Sequence, residues 1–527
     1  MIQPSRIALL ALVLFVSARA QEPISLPSSP PPVPGPADPL PSSMELAPAT
    51  TTGAPIVDPN APPLPLDVCV ARALARNFTI RIQQYPVGIA KDSVVIAQAA
   101  FDPTLGFSAQ KTVTQDPFAS GSANLINGIP STHTSNQIDT LSVNQPLITG
   151  GTISGNYNLQ RYYTNPAINF PNPDYTSATS ITVVQPLLQG AGSAYNRIAI
   201  DTARIGVRIA NLNFRSAVLM TIFNVETAYN NLLYAREQYK VQLETLGLAR
   251  ELYNENVVKR QTGVLTDLDV MQARVGVATA QNQLILDEQV VHNSEDALLQ
   301  ALGEREFKTP VGLVTFPAVS GPEASFDRSY KAARDNGPSL AIVEATIEQF
   351  KLAALKAKLN RLPTLNVNGG LGYGSTAHSD YQSVFGVWNG YNWTAGVSLS
   401  IPLGERANRA LYRQALAGVQ SEQVALDQAD QTLVVQVRGA VRGVQTNVAS
   451  VRTSGEETQF AEKEYELQKA EFDAGLATSY DVLQAQNNLE TARVSELQAR
   501  VNLLNAVADL RFLEGSSLEL YHINLPE

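Results

Sequence analysis

Residues 263–273 read Gly-Val-Leu-Thr-Asp-Leu-Asp-Val-Met-Gln-Ala, and residues 475–485, 212 positions later, read Gly-Leu-Ala-Thr-Ser-Tyr-Asp-Val-Leu-Gln-Ala. A second pair of matching segments, Pro103–Leu105 and Pro363–Leu365, is 260 positions apart. Matches that recur in the same order indicate a tandem duplication, and the difference between the two offsets places 48 extra residues in the first copy. The sequence therefore predicts two copies of one structural unit.

Long proline-free stretches surround both quoted segments. Residues 187–309 and 403–525 contain no proline and are rich in Ala, Leu, Gln, Glu and Val. Because proline breaks helices and these residue types favour them, each stretch predicts two helices joined at the quoted segment. We expect helices near residues 190–262, 267–302, 405–474 and 479–514. At 1.5 Å per residue, the longer helix of each pair would extend about 100 Å.

The two shorter helices carry apolar side chains at a seven-residue spacing. The spacing runs from Val270 to Leu298 in the first copy and from Val482 to Leu510 in the second, where Glu496 is the one break. A sustained period of 3.5 residues is typical of coiled-coil packing. These helices alone are equally compatible with a soluble helical bundle.

Segments of a different period lie between the helices. From Leu105 to Val113, apolar residues alternate with Thr, Gly, Ser and Gln, which predicts a strand with one polar face. The same alternation marks Leu141–Leu147, Ile153–Tyr163, Ile181–Leu187, Leu365–Tyr373 and Trp393–Leu403. Each segment has about ten residues, the length that a tilted transmembrane strand needs.

Two environments suit such strands, a lipid bilayer and the core of a soluble β-sandwich. Tyr and Trp residues near the strand ends are typical of a membrane interface: Tyr157, Tyr162, Tyr163, Tyr373, Trp388, Tyr391 and Trp393. Helices of about 100 Å fit a soluble sandwich poorly. Six strands are fewer than the eight of the smallest membrane barrels, so several chains would have to share one barrel.

The N-terminus has the features of a secreted precursor. Residues 1–20 contain Arg6, an apolar run and Ala18-Arg19-Ala20, which predicts a cleaved signal peptide; a retained short anchor is the alternative. Residues 21–65 hold 15 of the 32 prolines and predict a disordered leader, either a spacer or an unconstrained linker.

Composition argues against several classes of protein. The net charge is −10 and no Lys/Arg run occurs, so we expect no nucleic-acid partner. The single Cys69 excludes an intramolecular disulfide framework, and the four histidines lack metal-ligand spacing, so no metal site is expected. Gly190-Ala-Gly192 precedes a helix but lacks the third glycine of a dinucleotide fingerprint. We therefore expect no enzyme, no catalytic residue and no cofactor.

The chain resembles the TolC family of outer-membrane efflux proteins over about residues 64–515. The resemblance rests on the duplicated plan, on Gly-x-x-Thr-x-x-Asp-Val-x-Gln-Ala at both turns and on the helix opening Leu66-x-x-Cys-Val-x-x-Ala-Leu-x-x-Asn77. It implies an α+β membrane protein: a homotrimer that shares one transmembrane β-barrel, with up to six strands per chain, continued by a long periplasmic barrel of coiled-coil helices. The implied role is the exit duct of a tripartite efflux or type I secretion system, which meets outer-membrane lipid, a periplasmic adaptor and an inner-membrane pump.

This plan divides the chain into two repeats and their flanks. We expect a first repeat over residues 66–303 with four strands, a linker over 304–327, a second repeat over 328–515 with two strands, and a tail over 516–527.

The resemblance also assigns roles to residues near the two turns. The family docks its adaptor on the turns, which implies docking tips at Gly263, Val264, Leu265, Thr266, Gly475, Leu476, Ala477 and Thr478. The family narrows its tunnel with acids just beyond, which implies a constriction at Asp269, Asp481 and Gln484, where Gln484 replaces a second acid. Helix capping is the alternative role for the two acids, because each lies in the first turn of a helix.

In the family, a latch that holds the closed state joins an acid, which corresponds to Asp269, to a Tyr and an Arg. The positions of that Tyr and that Arg are occupied by Phe472 and Ala477 in this chain. Neither residue can make those bonds, so we expect the closed state to be held differently or less tightly.

Several features depart from the family pattern. Four strand-like segments in the first copy, where the family has two, predict either 18 strands in place of 12 or an extra hairpin outside the barrel. Tyr85-Pro86-Val87-Gly88 is expected to interrupt and kink the first helix. A non-channel structural or adhesive surface protein with a coiled-coil stalk is the alternative function.

Overall fold

A computed structural model describes residues 63–117, 131–165, 172–305, 307, 311–316, 324–377, 380–384 and 388–525. All of these belong to one unit, residues 55–527. The signal peptide predicted over residues 1–20 and nearly all of the leader predicted over 21–65 lie outside the described residues.

Helices dominate both copies. The first copy contains α1 (Leu66–Arg76), α2 (Phe78–Ala99), α3 (Ser193–Asn196), α4 (Ile198–Gln261) and α5 (Asp267–Leu302). The second contains α6 (Phe326–Asn336), α7 (Pro338–Leu359), α8 (Arg406–Asp473), α9 (Ser479–Glu514) and α10 (Ser517–Leu520). None of the helices in the described part of the chain is both long enough and apolar enough to span a lipid bilayer.

The strands form one antiparallel sheet in which every neighbour in space is also a neighbour in sequence. They are β1 (Thr104–Pro117), β2 (Ser131–Pro146), β3 (Thr152–Asn165), β4 (Asp174–Pro186), β5 (Thr364–Ala377) and β6 (Gly390–Ser400). The junction between the two repeats lies inside the sheet, where β4 pairs with β5. The first copy thus contributes four strands and the second two.

Up to the row that joins Phe107 to Tyr391, the register gives the sheet one apolar and one polar face; Lys111, Asp139 and Arg161 lie on the apolar side beyond that row. A row of directly paired residues on the apolar face reads Leu105, Val143, Gly155, Ile181, Leu371, Trp393. The neighbouring row on the polar face reads Thr104, Asn144, Ser154, Thr182, Gly370, Thr394. All five side chains of the apolar row are exposed, with exposed fractions from 45% to 74%. A contiguous exposed apolar face of this kind marks a surface that a membrane or another protein covers.

Helix α4 packs along α5, and α8 packs along α9. The seven-residue spacing places Leu284, Val291 and Leu298 in the core of the first copy. In the second copy, Leu503 and Leu510 pack against α8 in the same way. The coiled-coil packing predicted for the shorter helices is confirmed.

Cys69 lies on α1 and is fully buried in the first core. Burial raises the pKa of its thiol to about 12, so the thiolate form is scarce at neutral pH.

Two details of the first copy differ from expectation. The interruption predicted at Tyr85–Gly88 is wrong: α2 runs through Pro86, and the break comes at Asn77, whose side chain caps α2 by accepting the N–H of Thr79. Strand β2 begins at Ser131, ten residues before the predicted segment. Ser131–Thr140 is almost entirely polar, so its sequence carries no alternation from which a strand could be predicted.

Candidate functional site

The two helical hairpins turn in the same way. Gly263 and Gly475 adopt φ of 77° and 73°, in the left-handed region that glycine enters without strain. The next N–H reaches back to the last turn of the preceding helix, from Val264 to the Lys259 carbonyl at 2.9 Å and from Leu476 to the Glu471 carbonyl at 2.8 Å. These bonds satisfy carbonyls that a helix end leaves unpaired, and the two tips share one conformation.

Each tip ends in a capping box. Thr266 donates its N–H and its hydroxyl to Asp269 Oδ2, at 2.9 and 2.6 Å, while its hydroxyl accepts the Asp269 N–H. Thr478 and Asp481 repeat these bonds at 2.9 and 2.6 Å. Hydrogen bonds from the threonines lower the pKa of both carboxyls below their usual 3.8, so both are charged at neutral pH. Capping, the alternative predicted for these acids, is therefore confirmed as one of their roles.

Asn256 ties the two tips together. It lies on α4 with no exposed surface, and its Nδ2 donates to Ser479 Oγ at 2.5 Å and to the Asp269 carbonyl at 3.2 Å. One amide thus bridges the first turn of α5 and the first turn of α9. An apolar cluster lies at the same pair of turns and includes Leu265 and Ala477, which occupy equivalent places in the two turns.

Lys259 makes a second tie, one turn of α4 nearer the tip. Its Nζ lies 3.7 Å from the ring centre of the buried Phe472 and 3.4 Å from both the Phe472 carbonyl oxygen and Asp473 Oδ1. Glu255 holds the same ammonium at 2.8 Å. A cation over an aromatic face is attracted by the ring quadrupole, so Phe472, which cannot donate a hydrogen bond, still joins α8 to α4.

No sequence pattern indicates these ties. Asn256 and Lys259 are not repeated in the second copy, where Gln468 and Glu471 stand 212 positions later. Comparing the two copies of the repeat therefore could not single out Asn256 and Lys259.

Apolar side chains project from equivalent positions of both tips. Val264 is 69% exposed and Leu476 is 82% exposed, and they occupy the same place in the two turns. Leu268 and Tyr480, which also correspond, are 65% and 56% exposed. Gln484 lies one turn beyond Asp481 on α9, is exposed, and donates to Asn488 Oδ1 at 3.1 Å.

At the sheet, the apolar face is about as long as a tilted transmembrane strand. On β6 it runs from Leu399 to Tyr391, nine residues or about 26 Å along the strand, and a strand tilted by about 45° needs about nine to eleven residues to cross a bilayer. Tyr391, Tyr373 and Tyr157 share one cross-strand row at its upper limit. On the polar face of the described strands, Asp116 and Asp174 are the only charged residues.

The family model for outer membrane efflux proteins matches residues 169–304 and 329–516, which cover most of both repeats. The chain belongs to the outer membrane efflux protein family. As a member, it is an exit duct of the outer membrane with a periplasmic extension.

Individual relatives agree with this assignment. The chain is 26% identical to the outer membrane protein TolC of Vibrio cholerae, over 61% of this chain and 74% of that one. It is 27% identical to the alkaline protease secretion protein AprF of Pseudomonas aeruginosa, over 67% of this chain and 73% of that one. Its fold matches the CmeC outer membrane channel of Campylobacter jejuni with a TM-score of 0.63 and 18% identity, over 88% of this chain and 90% of that one.

Proposed function

We propose that three copies of this efflux-family chain form one duct that takes cargo at its hairpin tips from a periplasmic adaptor and an inner-membrane pump. The observation that carries the proposal is the pair of equivalent, internally hydrogen-bonded tips, each exposing an apolar residue. An exposed side chain held on a fixed turn binds a partner with little loss of conformational entropy. Val264 and Leu476 are such side chains, and they lie beside the polar Thr266 and Thr478.

We infer that the partner pump, more than the β-sheet, determines which cargo is exported. AprF is named for alkaline protease secretion, and the relative OpmQ of Pseudomonas putida for pyoverdine export. The polar face of the described strands offers hydroxyls, amides and glycines with almost no charge. Such a wall neither attracts nor repels ions strongly, so we infer that it admits both small molecules and unfolded protein.

A charge at both tips should uncouple the duct from its adaptor. We expect the double variant Val264→Asp, Leu476→Asp to lose about tenfold or more in export by intact cells, because docking would bury unpaired carboxylates. Its trimers and its conductance in planar bilayers should stay unchanged, since neither side chain has a packing partner to lose. The matched control, Val264→Met with Leu476→Met, keeps the apolar surface and should keep export. Normal export by the double Asp variant would contradict the docking role.

The first turns of α5 and α9 are the proposed constriction. Asp269 and Asp481 carry full negative charge there at neutral pH, and Gln484 lies one turn further along. Three Asp481 carboxylates brought together around the axis of a trimer would favour cations over anions at low ionic strength.

Substitutions at Asp481 distinguish a role in the tunnel constriction from a role in helix capping. Asp481→Asn keeps an oxygen for the Thr478 N–H but removes the charge, so we expect cation preference to fall about twofold or more at low salt while stability is kept. Asp481→Ala should lose both the cation preference and the stability that capping provides. Hydrogen bonds from Thr478 lower the Asp481 pKa and so oppose the rise that three neighbouring carboxylates would cause; the wild-type preference should therefore be present at neutral pH and be lost as acid protonates the carboxylates. Reversal potentials in a salt gradient measure the preference, and an unchanged value in Asp481→Asn would leave capping as the only role.

A further inference from the structure

A carboxylate is buried on α5 without a cation to balance its charge. Asp287 is 3% exposed and forms no ion pair in the described part of the chain. Gln238 of α4 and Gln283 of α5 each donate to its Oδ1 at 3.0 Å, whereas its buried Oδ2 accepts no hydrogen bond from the described residues. Burial raises the pKa of this carboxyl above the usual 3.8, although the two amide hydrogen bonds oppose the rise. A charge at this position is therefore costly.

A second acid, Glu490 of α9, lies close to the first. It is partly buried and has no ion pair among the described residues. Burial, and then the negative charge of Asp287, raise its pKa above the usual 4.5. Gln283 connects the two acids, because it donates to Asp287 and lines, together with Glu490, a cavity of about 450 Å³ between α4, α5 and α9. Since a water molecule takes up about 30 Å³ in the liquid, water can carry protons into this cavity.

The charged groups around the two acids leave them unbalanced. Tyr234 of α4 is the other described group whose pKa the charge of Asp287 raises, and a tyrosine with a raised pKa is uncharged at neutral pH. One arginine, Arg493, follows Glu490 by one turn of α9. Its guanidinium is already held by acids of α4 and α8, at 3.1 Å by Glu244 and at 2.7 Å by Glu462.

The internal duplication shows that a hairpin of this kind packs without either acid. Position 499, which is 212 residues after Asp287, is Ala499, and position 278, which is 212 residues before Glu490, is Ala278. Ala499 is buried on α9. Each acid therefore occurs in one copy only, and coiled-coil packing does not account for either of them.

The two acids lie on different helical hairpins. Asp287 belongs to the α4–α5 hairpin and Glu490 to the α8–α9 hairpin, and α9 packs against both α4 and α5. Two negative charges on opposite sides of this packing repel each other, and a bound proton removes the repulsion.

We propose that Asp287 and Glu490 form a proton-binding site that tightens the packing of α9 against α4 and α5 in acid, and that acid thereby favours closure of the periplasmic end of the duct. The proton site rests on the packing of the helices alone, whereas the link to closure rests on the proposed function. Because packing raises the pKa of both carboxyls, the packed arrangement should be most stable below their usual pKa values and lose stability as pH rises through the raised ones.

Thermal unfolding of the detergent-extracted protein between pH 5 and pH 8 tests the proton site. Asp287→Asn with Glu490→Gln replaces both acids by neutral groups of the same shape, and the new amide oxygen at position 287 can still accept from Gln238 and Gln283. At pH 8 the unfolding midpoint of this double variant should lie at least about 1 °C above that of the wild type, and the difference should shrink as pH falls. A purely structural role predicts the opposite sign, because neutral groups would weaken the hydrogen bonds.

Glu288→Gln is the matched control. It removes the same charge from the adjacent position of α5, where the charge of Glu288 acts on Tyr239 of α4. Its unfolding midpoint should follow the wild-type dependence on pH.

Single-channel recording tests the link to closure. The open fraction of the wild type should fall about threefold or more from pH 8 to pH 5, whereas that of the double variant should be low at both values. A double variant that is less stable than the wild type at pH 8, or whose difference from it is the same at both pH values, would overturn the proton site. The expected midpoints with an open fraction that does not fall in acid would overturn the link to closure. A protein that conducts at no pH would instead overturn the proposed duct, and the unfolding midpoints would still decide the proton site.

Discussion

Replacing Val183 with lysine is expected to prevent assembly in the outer membrane, whereas the same replacement at the next residue, Thr182, should be tolerated. Val183 lies on the apolar face, in the row of Ile153 and Gly369. That row is midway between Leu365 and the tyrosine row, so it should lie near the middle of the bilayer. A lysine facing lipid at that depth costs about 2–4 kcal/mol, and a trimer would carry three. Thr182 points to the opposite face, where a lysine would be hydrated.

The adjacent position makes each variant the control of the other, because both substitutions add the same charge to β4. The yield of heat-resistant trimers in outer-membrane fractions measures assembly. Thr182→Lys should assemble normally and shift the channel toward anions, since its three added charges would line the polar face. Equal tolerance of both variants, or failure of Thr182→Lys alone, would contradict the assignment of the faces.

Removing the two tip ties should open the periplasmic end of the duct. In Asn256→Ala with Lys259→Ala, the buried amide loses its bonds to Ser479 and Asp269, and Phe472 loses the ammonium on its ring. Leaving a buried hydrogen-bond partner unsatisfied costs about 1–3 kcal/mol, and a partly buried cation on an aromatic ring contributes about 0.5–2 kcal/mol. A combined loss of about 3 kcal/mol would change the ratio of joined to separated tips roughly 100-fold.

Single-channel recording in planar bilayers measures the opening directly, as a larger conductance or a greater open fraction. Lys240→Ala is the matched control, because Lys240 lies on the same helix and its ion pair, with Glu237, stays within that helix. The control should behave as the wild type. A double variant with wild-type conductance and wild-type trimer stability would show that other contacts hold the tips together.

Sequence patterns predicted the helices better than the strands. The helix starts at Asp267 and Ser479 and the ends at Leu302 and Glu514 agree with the prediction, because glycine in a left-handed turn and a threonine cap mark them in the sequence. The predicted segment for β2 is too short, because the first ten residues of β2 are almost entirely polar. Only their pairing with β1 and β3 makes them part of the strand.

The residues of the candidate site also differ in whether sequence patterns could predict them. The acids Asp269 and Asp481 could be singled out because each recurs at a fixed distance from its turn. Asn256 could not, since a polar residue in a long helix usually faces solvent, and only the packing of α4 against α9 shows that it is buried.

Electron microscopy of the detergent-extracted protein would show whether several copies jointly enclose a water-filled path. We expect a threefold particle with a hollow axis, in which a ring of strands at one end continues into paired helices of about 100 Å. A monomeric particle, or a trimer with no continuous hollow along its axis, would contradict it.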